Sequence, residues 1–273
     1  MATSQHNGTA QGKGTALITG ASGGIGAIYA DRLARRGYDL VLVARNGKRL
    51  EEVAQRIRSA TQRSVEVLVA DLSKKSDLAR VEANLKADSR VTMLVNNAGF
   101  GAVTPLLGSD VEKMEEMINL NILALTRLTY AAVPGFVARK NGAVINIASI
   151  AGLAPELLNG VYSASKSYVV TFSQSLKHEL TDKGVRVQAV LPGVTATEFW
   201  DVAGHAVEKL PQQWVMSGDD LVDAALAGFD LGELITIPSL PEVADWNALE
   251  AARQALGPNL SHTKPAQRYA KTH

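Results

Sequence analysis

The chain has 273 residues, 46% of them apolar and 20% charged, with a net charge of +1 and no cysteine. So even a charge balance excludes recognition of nucleic acid or an anionic membrane by bulk electrostatics, and the size and composition suit one soluble globular domain. Without cysteine there are no disulfides, thiolate metal sites or thiol nucleophiles, and a cytoplasmic location is expected.

Residues 1–13 lack the apolar core of a secretory signal and read as a flexible tail. The run from Gly8 to Lys13 resembles a phosphate loop but has three residues between its glycines instead of four. Gly14 also stands where a Ser or Thr is needed, and no strand precedes it. From Thr15 onward, short β-branched runs alternate with longer amphipathic stretches. Strands are predicted at 15–19, 39–43, 65–69, 91–95, 143–147 and 185–190, most of them nearly continuous apolar runs, as in parallel strands covered on both faces. Helices are predicted at 24–36, 47–61, 74–87, 110–138 and 161–183, with Ser73 and Asp110 as N-caps and Gly37 and Gly184 as left-handed stops. A further helix at 218–229 leads to a seventh strand at 233–237. Such alternation predicts an α/β fold, a single Rossmann-type doubly wound sheet of about seven parallel strands with helices on both faces, spanning 14–257. A polar tail, 258–273, follows.

The first strand runs into Gly20-Ala-Ser22-Gly23-Gly24-Ile25-Gly26 and then into a helix. Glycines there let the backbone turn tightly and approach a pyrophosphate, which the helix N-terminus favours. The second strand ends at Arg45, where an NAD-binding protein places a carboxylate against the ribose 2′-hydroxyl. A guanidinium suits a 2′-phosphate instead, so NADP is the expected cofactor, with Lys48 and Arg49 available to assist.

Strand five ends at Ser149, and thirteen residues later comes Tyr162-Ser-Ala-Ser-Lys166 at the start of a long helix. Positions i and i+4 share a helical face, which brings an ammonium beside the phenol. Such a cation lowers the phenol pKa from its usual value of about 10 toward neutrality, where proton exchange becomes useful.

In order along the chain, Thr19 to Gly26, Asn96-Asn97-Ala98-Gly99, Ser149, Tyr162-x-x-x-Lys166 and Pro192-Gly193 resemble the motif set of the short-chain dehydrogenase/reductase family over about residues 14–197. The resemblance implies interconversion of a ketone or aldehyde and its alcohol with NADP. Tyr162 is then the general acid/base and Lys166 its activator and a ribose ligand. Ser149 polarises the carbonyl, and Asn121 holds the water of a proton relay, chosen over Asn119 by the family's spacing to the serine. Gly20, Ser22, Gly23, Gly24, Ile25, Arg45, Asp71, Leu72, Asn97, Ala98, Gly99, Pro192, Gly193, Thr195 and Thr197 complete the implied cofactor site. The family's substrate loop falls at about 198–216. Phe199 and Trp200 there either line an apolar cleft or anchor the loop, with Trp214 and Met216 as companions and Gly204 as a hinge. A lipophilic substrate follows from the cleft reading of these side chains, and a homodimer or homotetramer, paired through 110–138 and 161–183, from the resemblance. Val at 169 excludes the wider Tyr-Lys spacing of enoyl reductases, and too little chain follows Thr197 for the extended epimerases. The alternative is a non-catalytic NADP-binding sensor, against which stands the presence of all four polar catalytic positions. The histidines and carboxylates show no metal-ligand spacing.

Overall fold

The computed structural model describes residues 13–204 and 207–269. Apart from Lys13, the expected N-terminal tail lies outside them, as do two residues of the expected substrate loop. The chain divides into two compact units, Met1–Pro238 and Ser239–His273.

The first unit runs β1 (Thr15–Thr19), α1 (Gly24–Arg35), β2 (Asp39–Ala44), α2 (Gly47–Thr61), β3 (Val65–Val69), α3 (Lys75–Ala87) and β4 (Val91–Asn96). There follow α4 (Val111–Ile118), a π-helical stretch at Asn119–Ala124, α5 (Leu125–Arg139), β5 (Gly142–Ile147), α6 (Gly160–Leu180) and β6 (Val185–Val190). After β6 come β7 (Thr195–Ala196), α7 (Phe199–Ala203), β8 (Met216–Ser217), α8 (Gly218–Leu231) and β9 (Ile235–Thr236). Seven strands form one sheet in the order β3-β2-β1-β4-β5-β6-β9, and every pairing is parallel.

Alternate residues of each strand enter opposite cores. Ala16 and Ile18 of β1, with Leu40 and Leu42 of β2, pack under α1, α2 and α8. Leu17, Val41 and Val43 pack under α3, α5 and α6. Strands sealed on both faces have to be apolar throughout, which is why the sequence pattern announced them so clearly. Strand order reverses between β1 and β4, and the crevice above their carboxyl ends is where open α/β sheets bind ligands.

Four expectations need correction. The compact units divide at Pro238 rather than at the expected Gly257, and α9 (Val243–Ala255) lies in the second. The seventh strand is cut to two residues, between the left-handed turn at Gly232 (φ +81°) and Pro238, which cannot donate to a ladder. Ser73 does not cap α3; its N–H and hydroxyl both donate to Asp71 Oδ1, and Lys74 takes the cap position. The helix predicted at 110–138 begins on its Asp110 cap but widens to a π-helix at Asn119–Ala124. The whole stretch Val111–Arg139 is long and apolar enough to cross a membrane by length and composition. Its apolar character has a packing cause: Leu125, Leu128, Ala131, Ala132 and Phe136 are buried.

Candidate active site

The glycine turn is built by close approach. Gly20 (φ +67°) and Gly24 (φ +51°) adopt the left-handed conformation, and a Cβ on Gly26 would lie 2.4 Å from Gly20 O. Asn97 braces the turn, its Nδ2 donating to Thr19 O at 2.9 Å and to Gly20 O at 3.2 Å. Thr19 Oγ1 accepts the N–H groups of Asn97 and Ala98. This joins the ends of β1 and β4 at the strand-order reversal. Helix α1 starts with no side-chain cap and no acidic residue in its first turn, whereas α2, α4, α6 and α8 are capped by Asn46, Asp110, Asn159 and Ser217. Free N–H groups over a glycine turn suit a dinucleotide pyrophosphate.

Strand β5 delivers Ser149, and α6 delivers Tyr162 and Lys166; all three are buried. Ser149 Oγ accepts the N–H of Ala151 and lies 3.5 Å from Pro192 O, which also accepts the N–H of Ile150. The Ser149 hydroxyl lies close enough to the Tyr162 phenol to favour its ionised form. Lys166 Nζ donates to Ile147 O at 2.9 Å and sits 5.7 Å from the centre of the Tyr162 ring. Burial pulls the ammonium down to about 8. Burial also pushes the Tyr162 phenol up to about 12, against a smaller downward pull from Ser149. The expected depressed phenol is thus not found in the protein groups alone: removal from water outweighs the pull of Ser149.

Of Asn119 and Asn121, Asn121 is the buried one, and the π-helix is what turns it inward. Its Nδ2 donates to Phe100 O and Ser165 Oγ, and its Oδ1 accepts the N–H of Phe100. A Cβ on Gly99 would lie 2.8 Å from Asn121 Oδ1 and 3.7 Å from Lys166 Nζ. Gly99, Asn121, Lys166 and Tyr162 therefore form one cluster. Behind it, buried Asn96 donates to Thr129 and Asn146, and Asn146 to Ser173, tying β4, α5, β5 and α6 together.

Thr195 lies in β7, which pairs with β8, and Thr197 rests against Gly24, where an added Cβ would meet it at 3.7 Å. Pro192, Gly193, Thr195 and Thr197 thus run from the Ser149 end of the cleft to the glycine turn. Arg45 is exposed at the end of β2; past the end of β3, Asp71 is half-buried and Leu72 buried. Phe199 packs on Tyr162, ring centres 5.7 Å apart. Trp200 turns the other way: it is buried, and its indole N–H donates to Thr195 O at 3.0 Å. Of the two roles open to it, the geometry gives Trp200 anchoring and Phe199 the cleft. Trp214 is 64% exposed. Sequence reasoning missed the Ser165 bond to Asn121 and an ion pair between Arg49 and Glu198, 149 residues apart. The first had a signal in the i, i+3 step from Tyr162; the second had none.

A sequence profile described as short chain dehydrogenase matches residues 14–207. The chain belongs to this family. It is accordingly an oxidoreductase with the family's sheet. A short-chain dehydrogenase from Sphingobium yanoikuyae, solved in complex with NADPH, superposes with a TM-score of 0.92 at 49% identity over 94% of this chain and 100% of that one. The bulky-bulky ketone specific alcohol dehydrogenase of Comamonas testosteroni gives 0.87 at 43% identity over 94% and 99%. The very-long-chain 3-oxoacyl-CoA reductase of Anas platyrhynchos is 35% identical over 206 residues, 73% of this chain and 66% of that protein, so the chain spans just under two thirds of its length.

Proposed function

We propose that this short-chain dehydrogenase reduces ketones bearing two bulky apolar substituents, using NADPH. The observation that carries the reading is the setting of Tyr162, which shares one apolar cluster with Met114, Met117 and Ala151 and is bordered by Phe100, Leu158 and Phe199. Beyond Phe100 the same loop carries Leu106 and Leu107, the latter 97% exposed, and Leu153 and Leu157 stand exposed on the loop before α6. Apolar groups thus flank the phenol on more than one side. The substrate stated for the Comamonas enzyme supports the same class, as does the NADPH of the Sphingobium complex for the cofactor.

NADPH held along the cleft supplies the hydride. Gly20, Ser22, Gly23, Gly24 and Ile25 would receive its pyrophosphate, Arg45 its 2′-phosphate, and Asp71, Leu72 and Asn97 to Gly99 its adenosine half. Pro192, Gly193, Thr195 and Thr197 would border its carboxamide. The Ser149 hydroxyl and Tyr162 phenol bind the ketone oxygen, and Tyr162 donates its proton as charge develops there. A phenol kept protonated by burial is in the correct state for that donation. Lys166 compensates the phenolate left behind, and Asn121, fixed at three points, holds the helix geometry around it. We assign the homodimer or homotetramer to the helices spanning Val111–Arg139 and α6, supported by the exposed Ile118, Leu123 and Tyr130.

The test is NADPH consumption with a ketone panel running from acetone to diaryl and dicycloalkyl ketones, with a 3-oxoacyl-CoA as a separate arm. Turnover should be highest for ketones bulky on both sides, and Arg45→Asp should raise KM for NADPH by at least about tenfold through loss of a charge-assisted contact. Preference for small ketones or for the thioester would overturn the substrate class, and equal use of NADH by the wild type would overturn the cofactor.

A further inference from the structure

Arg49 stands in the first turn of α2, where its backbone N–H donates to the Asn46 side chain. Its guanidinium reaches across the glycine turn, so that a Cβ on Gly23 would lie 2.7 Å from its terminal nitrogen. There it meets the Glu198 carboxylate at 2.6 Å. Glu198 directly follows Thr197, which rests against Gly24, and directly precedes Phe199, which covers Tyr162. One ion pair therefore joins α2, the start of α1 and the strand of chain that leads over the catalytic tyrosine. Beneath it opens a cavity of about 370 Å³ bordered by Ser22, Gly23, Gly24, Arg49, Glu52 and Arg56.

We infer that Arg49 is shared between Glu198 and a phosphoryl group of the dinucleotide, so that phosphate binding releases Glu198 and loosens the segment carrying Phe199. The inference rests on the reading of NADP as cofactor. Two physical facts favour exchange over a permanent strap. The side chains are 43% and 62% exposed, and a pair so well hydrated holds weakly. A phosphate, by contrast, offers a guanidinium paired charge-assisted hydrogen bonds and more than one negative charge. The carboxylate is then a positioning group, keeping Arg49 over the glycine turn until the phosphate arrives.

The experiment uses the full chain with 2′,5′-ADP and 5′-ADP, neither of which carries a nicotinamide, and reads calorimetric affinity together with amide hydrogen exchange in residues 198–204. In the wild type, nucleotide should speed exchange in that segment. In Glu198→Gln the segment should exchange fast without nucleotide, and affinity should rise about fivefold because the competing carboxylate is gone. Glu198→Asp, a shorter carboxylate, should fall between the two. An effect of 2′,5′-ADP alone places the exchange at the 2′-phosphate, and an equal effect of 5′-ADP places it at the 5′-phosphate that both share. Nucleotide binding with unchanged or slowed exchange in the wild type, or unchanged affinity in Glu198→Gln, overturns the inference. Failure of both nucleotides to bind overturns the NADP reading with it.

Discussion

The Phe199 ring lies 5.7 Å from that of Tyr162, tilted by 48°, and its tip fills the space that a side chain on Gly101 would need. A Cβ there would come within 2.4 Å of Phe199 Cζ. The Tyr162 phenol, a glycine on the loop after β4 and an aromatic ring after β7 thus define one wall of the cleft. Gly101→Ala should push Phe199 aside and Phe199→Ala should remove it. Each should raise KM for a bulky ketone about tenfold, the equivalent of about 1.4 kcal/mol of lost apolar contact. Steady-state kinetics on matched large and small ketones check this, and equal effects on both would contradict it.

Trp200 answers to a different measurement. Its buried ring and its bond to Thr195 O hold the strand of chain beside the cleft. Trp200→Ala should cost about 3–5 kcal/mol of stability, as large-to-small core changes do. It should weaken NADP binding without discriminating between substrates by size. Trp200→Phe should recover most of the stability and only part of the cofactor affinity. Thermal unfolding and calorimetric titration read the two effects, and an alanine variant of wild-type stability would refute the anchor.

The pH behaviour follows from burial. With its folded value raised above the ordinary phenol, Tyr162 contributes stability that is full below about pH 10 and is lost as pH rises through about 12. Lys166 has the opposite sign. Its folded value of about 8 lies below that of a free lysine, so the cost of its burial is largest below pH 8 and is relieved as pH climbs toward about 10.5. An ultraviolet difference titration, wild type minus Tyr162→Phe, isolates one phenolate. In the protein without cofactor it should appear only above about pH 10, and the positive charge of bound NADP⁺ should shift it lower. A phenolate already formed at neutral pH without cofactor would contradict this account.

Much of the fold was legible in the sequence, and the reason is physical. Strands buried on both faces, such as Leu40 to Val43, leave a continuous apolar signature, and the glycine turn must keep Gly20 and Gly26 because their backbones nearly touch. Tyr162 and Lys166 were legible as a pair because i and i+4 share a helical face, and Ser149 because its motif stands in order between the glycine turn and that helix. What escaped depends on packing across long separations. The direction in which Trp200 turns is set by Thr195 and the β7–β8 pair, and the partner of Arg49 lies 149 residues away in sequence. Neither leaves a periodic trace. The phenol pKa escaped as well, because helix spacing reveals the neighbouring cation but not how completely both groups are withdrawn from water.

The central claim is that Tyr162 donates the proton in ketone reduction, and single-turnover reduction by Tyr162→Phe tests it most directly. The substitution keeps the buried ring beside Phe199 and removes only the phenol hydroxyl. The account predicts unchanged NADPH affinity with the chemical step slowed by roughly 10²–10⁴, the usual worth of a general acid. A variant that reduces its best ketone at near the wild-type rate would contradict the account.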